Sequence, residues 1–417
     1  MSASGLLMLF IMVIWFVISF VTNLIGPLMP TIISDFHLSL FLAGVLPFSF
    51  FIAYGLISIP AGALVEKRGP RTTLLAAFGL NLAGCLAISL WPVYGVVIAG
   101  LFLIGLGMAM LQVVINPLMR TTGGEAHFAF FAVMAQLVFG LASYMSPLVY
   151  SALMEQPGAA GRPLVWVQFY WAFVVVYLIM IAITASLRIP SLTLVESERS
   201  GSVATYRELL GQRTVQLFFL GIIAYVGTEQ SLADWMSQFL STYHHFSPAR
   251  EGAHAVGLFW GLMSIGCVLG MVLLRLFDAQ RVLAVFTILA MACVALAVFG
   301  SAALSLAAFP ACGFFLSVMW SIIFSLALNS VSRHHGAFSG ILCTGILGGA
   351  VLPLLVGLLG DRLGLRLAML TVFVTLGFIL SIAFWARPLI RNETVGLLDL
   401  FSLGRRGNAH GEPGSRS

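Results

Sequence analysis

Apolar stretches of membrane-crossing length recur along this chain, each closed by a short polar break. Their approximate cores are 6–30, 39–62, 72–91, 95–118, 128–153, 165–187, 214–241, 254–275, 281–301, 304–329, 338–359 and 366–386. About 20 consecutive apolar residues cross a bilayer as a helix, so the pattern predicts twelve membrane-spanning helices. The short alternating strands of a membrane barrel are not seen. The longest polar break, "RIPSLTLVESERSGSVATYRELLGQR", occupies 188–213. It divides the chain into a six-helix half at 1–187, a linker at 188–213 and a second six-helix half at 214–387. A polar, Gly-rich tail, expected to be largely disordered, fills 388–417.

Composition agrees with the pattern. The chain is 60% apolar and 8% charged, against about 25% charged in ordinary soluble domains. Placing both termini in the cytoplasm puts 16 basic residues on that side and 4 (Arg162, Arg250, Arg362, Arg366) on the other. That asymmetry follows the positive-inside rule and suits a bacterial inner membrane. The N-terminus lacks a basic n-region and a cleavage site, so it is expected to be a retained first helix. The net charge of +5 is spread without the dense basic run of a nucleic-acid surface. Five cysteines, all inside apolar stretches, lack metal-ligand spacing and are expected to be fillers. The histidines fall at predicted loops and span ends. No nucleophile elbow, phosphate loop or metal cluster points to catalysis, and neither cofactor nor metal is expected.

Between spans 2 and 3 stands "GALVEKRGPR", Gly62–Arg71. Gly62 is expected to let span 2 end tightly, and Glu66, Lys67 and Arg71 to form a charge cluster. The run Gly62, Glu66, Lys67, Gly69, Arg71 resembles the signature loop of the major facilitator superfamily. Glu66 replaces the commoner Asp, and Pro70 a usually basic residue. The resemblance implies an all-α membrane protein of the major facilitator fold, a transporter of two six-helix halves. A second copy of the spacing, "GLLGDRLGLR", Gly357–Arg366, falls between spans 11 and 12. There Asp361 and Arg362 are expected to be a helix-end cap and ion pair without a transport role.

The stretch Leu111–Ser143 places Gln112, Asn116 and Pro117 at the end of span 4, with Gln136 and Gly140 in span 5. Buried amides are costly in lipid and need a partner or a cavity. Their order resembles the fucose:proton symporter branch, which includes bacterial fucose and glucose/galactose permeases. "TNLIGPLMP", "YVGTEQSLADW" and "GILGGAVLPLLVGLLGD" fit the same branch. Fucose-type symporters carry acids at positions matching Gly26 and Gln112, and neither residue here can carry a proton. Asn23 matches an asparagine that the branch has near its sugar site.

Span 7 holds Glu229 about 24 Å along its helix at 1.5 Å per residue. A carboxyl at that depth is expensive unless it faces a cavity. There it could exchange a proton, bind sodium or accept bonds from sugar hydroxyls. Asp234, the other candidate ion-coupling acid, lies about 140° around the helix from Glu229. It is expected nearer the outer, solvated end, and Gln230 shares its face. Sugar rings pack their C–H faces on aromatic planes. Of the tryptophans within spans (Trp15, Trp171, Trp235, Trp260, Trp320), Trp235 and Trp320 belong to spans that also carry polar groups. The expected substrate residues are therefore Asn23, Gln112, Asn116, Gln136, Glu229, Gln230, Trp235 and Trp320. The function implied is secondary transport of a hexose or related small sugar, coupled to a proton or sodium ion. An uncoupled facilitator and an exporter of drug-like or lipid-like amphiphiles are the alternatives. Span 5 lacks the Gly-Pro motif of drug antiporters, and the sugar-facilitator "P-E-S-P-R" loop is absent. Membrane lipid is the expected surrounding, nucleic acid is not expected as a partner, and a monomer is expected.

Overall fold

A computed structural model describes residues 3–124, 128–158, 162–190, 203–331 and 334–389. The expected disordered tail therefore lies outside the described residues from 390 onward, as does 191–202 of the linker. No strand occurs among the described residues.

Span 1 comprises α1 (Ala3–Thr22) and α2 (Ile25–Phe36), broken at Asn23–Leu24. Spans 2 and 3 form α3 (Leu40–Leu90), followed by α4 (Tyr94–Gly123), α5 (Phe128–Met154) and α6 (Val167–Ser186). A short helix, α7 (Val203–Leu210), lies inside the predicted linker and leads to span 7, α8 (Arg213–His244). A π-helical turn at Pro248–Gly252 opens span 8, which is α9 (Ala253–Leu276), and span 9 is α10 (Ala279–Phe299). Span 10 breaks at Ser317–Val318 into α11 (Ala302–Leu316) and α12 (Met319–Leu328). Span 11 runs through α13 (His335–Thr344), a 3-10 turn and α14 (Gly348–Leu363), and span 12 through α15 (Leu365–Ala368) and α16 (Thr371–Trp385). Among the described residues, eleven helices are long and apolar enough to cross a membrane. Because α3 folds back at Gly69, it supplies both span 2 and span 3, which makes twelve crossings among the described residues.

That reversal corrects the expectation for Gly62. The helix runs on through Gly62, and the turn is made at Gly69, whose φ of +80° and ψ of 170° leave helical space. Glycine adopts such a φ without the clash a Cβ would bring. Pro70 then starts span 3 with its φ already fixed for a helix. We call the end of the bundle carrying this loop and the 188–213 segment the linker end, and the opposite one the distal end.

Each half builds its own core. One cluster gathers spans 1–6 and the other spans 7–12. Only a few residues cross over: Met29 and Ala43 pack into the second core, Ala253 and Ala350 into the first. The two halves also repeat a packing device. Gly105 in α4 lies against the Phe50 carbonyl of span 2, and Gly313 in α11 against the Phe259 carbonyl of span 8. Small residues let membrane helices approach backbone to backbone, where lipid offers no hydrophobic drive to hold them.

Candidate functional site

The seam between the halves is tight at the distal end. A methyl group added to Gly26 of α2 would lie 2.6 Å from the Ala233 carbonyl oxygen of α8 and 3.2 Å from Asp234 Cα. Gly140 of α5 packs on the Ser264 side chain of α9. Gly44 of α3 sits against Leu354 of α14, where an added methyl would be 3.0 Å from the Leu354 Cα. Three polar links also cross the seam there. Asp361 accepts hydrogen bonds from Leu40 N at 2.7 Å and Phe41 N at 2.8 Å. The exposed pair Arg250–Glu155 closes at 2.9 Å, where water screens the attraction and leaves it weak.

The polar groups gather just on the linker side of these contacts. Asn23 stands three residues before Gly26, and Glu229 four before Ala233. Spans 1 and 7 run in the same direction, so the two lie about one helical turn below the touching point, on opposite halves. Gln136, Gly140 and Ser143 follow the i, i+4, i+7 spacing of one helix face. Gly140 touches the opposite half and Ser143 touches Asn23. Gln136, one turn nearer the linker end, is exposed.

Asn23 is held by a local network. The Ser19 carbonyl accepts from both the backbone N–H and the Nδ2 of Asn23, each at 3.0 Å, and Ser143 Oγ accepts from Nδ2 at 2.8 Å. Ser19 Oγ lies 2.7 Å from Ser143 Oγ and donates to the Phe139 carbonyl at 2.6 Å. Asn23 is 4% exposed, and its Oδ1 is buried without a partner. An unmet buried acceptor costs about 1–3 kcal/mol, so this oxygen is poised for a donor from outside the protein.

Across the seam, Glu229 is half-buried and accepts from the Tyr225 hydroxyl at 3.2 Å. The Tyr225 ring lies 6.1 Å from Trp320, which stacks on Phe324 at 5.8 Å. A carboxylate, a phenol and a half-buried indole face thus form one cluster. Gln230, the next residue, is buried, and its Cγ lies against Gly349 together with the Phe51 ring.

The remaining predicted residues sit apart. Gln112 and Asn116 lie one turn apart on α4, half-buried and exposed respectively, and no hydrogen bond joins them to Asn23 or Glu229 among the described residues. Trp235 is fully buried and donates from Nε1 to the Pro353 carbonyl at 3.0 Å, fastening α8 to α14. Asp234 corrects an expectation. It is no solvated acid near the outer end but is 3% exposed, beside Gly26, with Oδ2 lacking a partner. At the signature loop, Glu66, Lys67 and Arg68 are exposed, and Arg71 donates to the Ala185 carbonyl at the end of α6. Arg71 thereby ties spans 3 and 6 through a backbone carbonyl.

Two cavities, of about 540 and 700 Å³, open against α1 and α5. Phe16, Phe20 and Phe173 line the first and Met8, Met12 and Met134 the second. Both walls are largely apolar, and none of the predicted site residues lines either. The candidate site is therefore defined by the polar constellation and not by either cavity.

The constellation was partly hidden from sequence reasoning. Tyr225 and Ser19 each lie four residues from a predicted site residue on the same helix, a spacing that could have found them. Ser143 follows Gln136 by seven and was equally legible.

The profile of the Major Facilitator Superfamily matches residues 11–345. The chain belongs to that superfamily. It is a multi-pass membrane transporter and not an enzyme. It is 29% identical over 380 residues to a glucose/galactose transporter of Brucella abortus, spanning 88% of this chain and 90% of that protein. It is 25% identical over 381 residues to the L-fucose-proton symporter of Escherichia coli, covering 84% of this chain and 86% of the other. Superposed on the E. coli fucose:proton symporter in its outward conformation, the transporter gives a TM-score of 0.65 at 21% identity, covering 92% and 99% of the two chains. A bacterial homolog of the human lysosomal transporter Spinster, inward-facing and unoccupied, gives 0.76 at only 14% identity, covering 92% and 97%.

Proposed function

We propose that this transporter carries a hexose or a related small sugar across a bacterial inner membrane by alternating access. The linker end and both termini face the cytoplasm, and the structure stands in the state closed to the outside. Each chain carries both halves of the site, so a monomer suffices, surrounded by membrane lipid. The observation that carries the reading is a pair of polar clusters, one on each half, each about one helical turn below the contact of Gly26 with Ala233. Asn23 offers an unmet acceptor on one half. Glu229 and Tyr225 offer an acceptor and a hydroxyl on the other, with the Trp320 ring beside them. A polyol with an apolar ring face matches that mixture. Gln136 and Gln230 border the site at the seam, while Gln112 and Asn116 line the approach from the cytoplasm. The curated sugar transporters to which the chain is similar along most of its length point the same way.

Coupling to a proton or sodium ion runs through Glu229 in this reading. The acid that fucose-type symporters carry at position 26 has no room here, because Gly26 packs directly on the α8 backbone. Asp234, buried in the distal seam, is the other acid within span 7. The same observation favours one second reading, an uncoupled facilitator in which Glu229 only binds hydroxyls.

Thermal unfolding of the purified protein against a panel of hexoses tests the substrate class. A ligand at 100 times its Kd stabilises by about 2.7 kcal/mol, a readily measured shift. At least one hexose should stabilise, and ethidium should not. Stabilisation by ethidium or a lipid-like amphiphile, with none from any hexose, would overturn the proposal.

A further inference from the structure

The second copy of the signature spacing, Gly357–Arg366, is more than the end of a helix. The first turn of α3 presents four backbone N–H groups that no preceding turn can satisfy. The Ser39 hydroxyl accepts from one of them, Leu42 N, at 3.3 Å. Two more, Leu40 N and Phe41 N, both donate to Asp361, one to each carboxylate oxygen, at 2.7 and 2.8 Å. Asp361 belongs to the opposite half. Two of these four groups are therefore capped across the seam.

The rest of the motif serves the same contact. Gly357 brings α14 against the Leu40 carbonyl, and Gly360 leaves space for the Leu40 side chain. Gly364, with φ of +83°, turns the chain immediately after Asp361. Arg366 then anchors the turn, its guanidinium 4.5 Å from the Tyr243 ring and its backbone N–H donating to the Tyr243 hydroxyl at 3.0 Å. The carboxylate is thus held on a braced turn, pointed at a helix N-terminus, where a negative charge is favoured.

We propose that Asp361 is a positioning residue of the transport cycle: a latch that holds the distal end closed and must release α3 before the distal end opens. Separating the halves there strips Leu40 N and Phe41 N of their acceptor and leaves them to water. The latch biases the balance of the two conformations and touches no substrate. Its test is independent of the sugar reading because no substrate is added.

The experiment places spin labels at cysteines replacing Trp91 and Phe299, exposed positions at the distal ends of the two halves. The five native cysteines are removed, and distances are measured in the full chain reconstituted in liposomes. Replacing an N-cap acceptor with alanine typically shifts an equilibrium by about fivefold. Asp361→Ala should raise the ratio of long to short distances by about that factor. Asp361→Asn, which keeps the shape and an acceptor oxygen but loses the charge, should fall between it and the parent. Arg362→Ala, an exposed neighbour outside the latch, should leave the distribution unchanged. Distances unmoved in both Asp361 variants would overturn the proposal. So would a lowered melting temperature without redistribution, because that is the mark of an ordinary structural cap. Should Asp361→Ala not fold, Asp361→Asn decides alone, and an unmoved distribution there overturns it equally.

Discussion

Gly26 offers a sharp steric test of the closed seam. Replacing it with alanine puts a methyl carbon 2.6 Å from the Ala233 carbonyl oxygen and 3.2 Å from both the Ala233 carbonyl carbon and Asp234 Cα. Ordinary carbon–oxygen contacts begin at about 3.3 Å, so α2 and α8 would have to part by about 0.7 Å. All three atoms are backbone, and no side chain can swing aside. Overpacking of this kind costs about 1–3 kcal/mol. The cost falls on the distal-closed state, because the contact exists only there. The gain in helix propensity from glycine to alanine is shared by both states and cancels. The equilibrium should therefore shift toward the distal-open state by about 5- to 150-fold. Distances between labels at positions 91 and 299 in liposomes read this directly. Gly26→Asp, which adds a larger side chain at the same contact, should shift it at least as far. A Gly26→Ala protein with the parent's distance distribution would refute the steric reasoning and the placement of α2 on α8.

Two further outcomes separate binding from packing. Trp235→Phe removes the buried donor to the Pro353 carbonyl and should cost about 1–3 kcal/mol of stability, seen as a lowered melting temperature, while the affinity for a stabilising hexose stays unchanged. Gln136→Leu should leave the melting temperature close to the parent's but weaken that hexose about 3- to 10-fold, the worth of one lost hydrogen bond, in a titration by tryptophan fluorescence.

The twelve crossings were legible because hydropathy reports what lipid requires of a helix, and that requirement is nearly independent of neighbours. Where a helix bends was less legible. Gly62 and Gly69 are both glycines in the same loop motif, and only the backbone shows that the turn falls at Gly69. Asp234 shows the limit more clearly. Its distance along span 7 suggested a solvated acid, but α2 covers it, and no property of span 7 alone announces that packing. Nor does span 7 alone announce that the Trp235 indole is bonded to a carbonyl in span 11. The spacing of Gln136, Gly140 and Ser143 fits one helix face, but only the structure shows that Gly140 meets the opposite half and Ser143 meets Asn23. The role of Asp361 was hidden because its partners, Leu40 and Phe41, lie more than 300 residues away in sequence.

The central claim is that a sugar binds between Asn23 and Glu229, and that the Glu229 carboxyl links its movement to an ion gradient. Uptake of the stabilising hexose into proteoliposomes, with and without imposed proton and sodium gradients, tests it most directly. Glu229→Gln keeps the shape and the hydrogen-bonding capacity of the side chain but cannot release a proton. The account predicts that the parent accumulates sugar under one of the two gradients, whereas Glu229→Gln exchanges sugar yet no longer accumulates it. Accumulation that survives in Glu229→Gln would contradict the account.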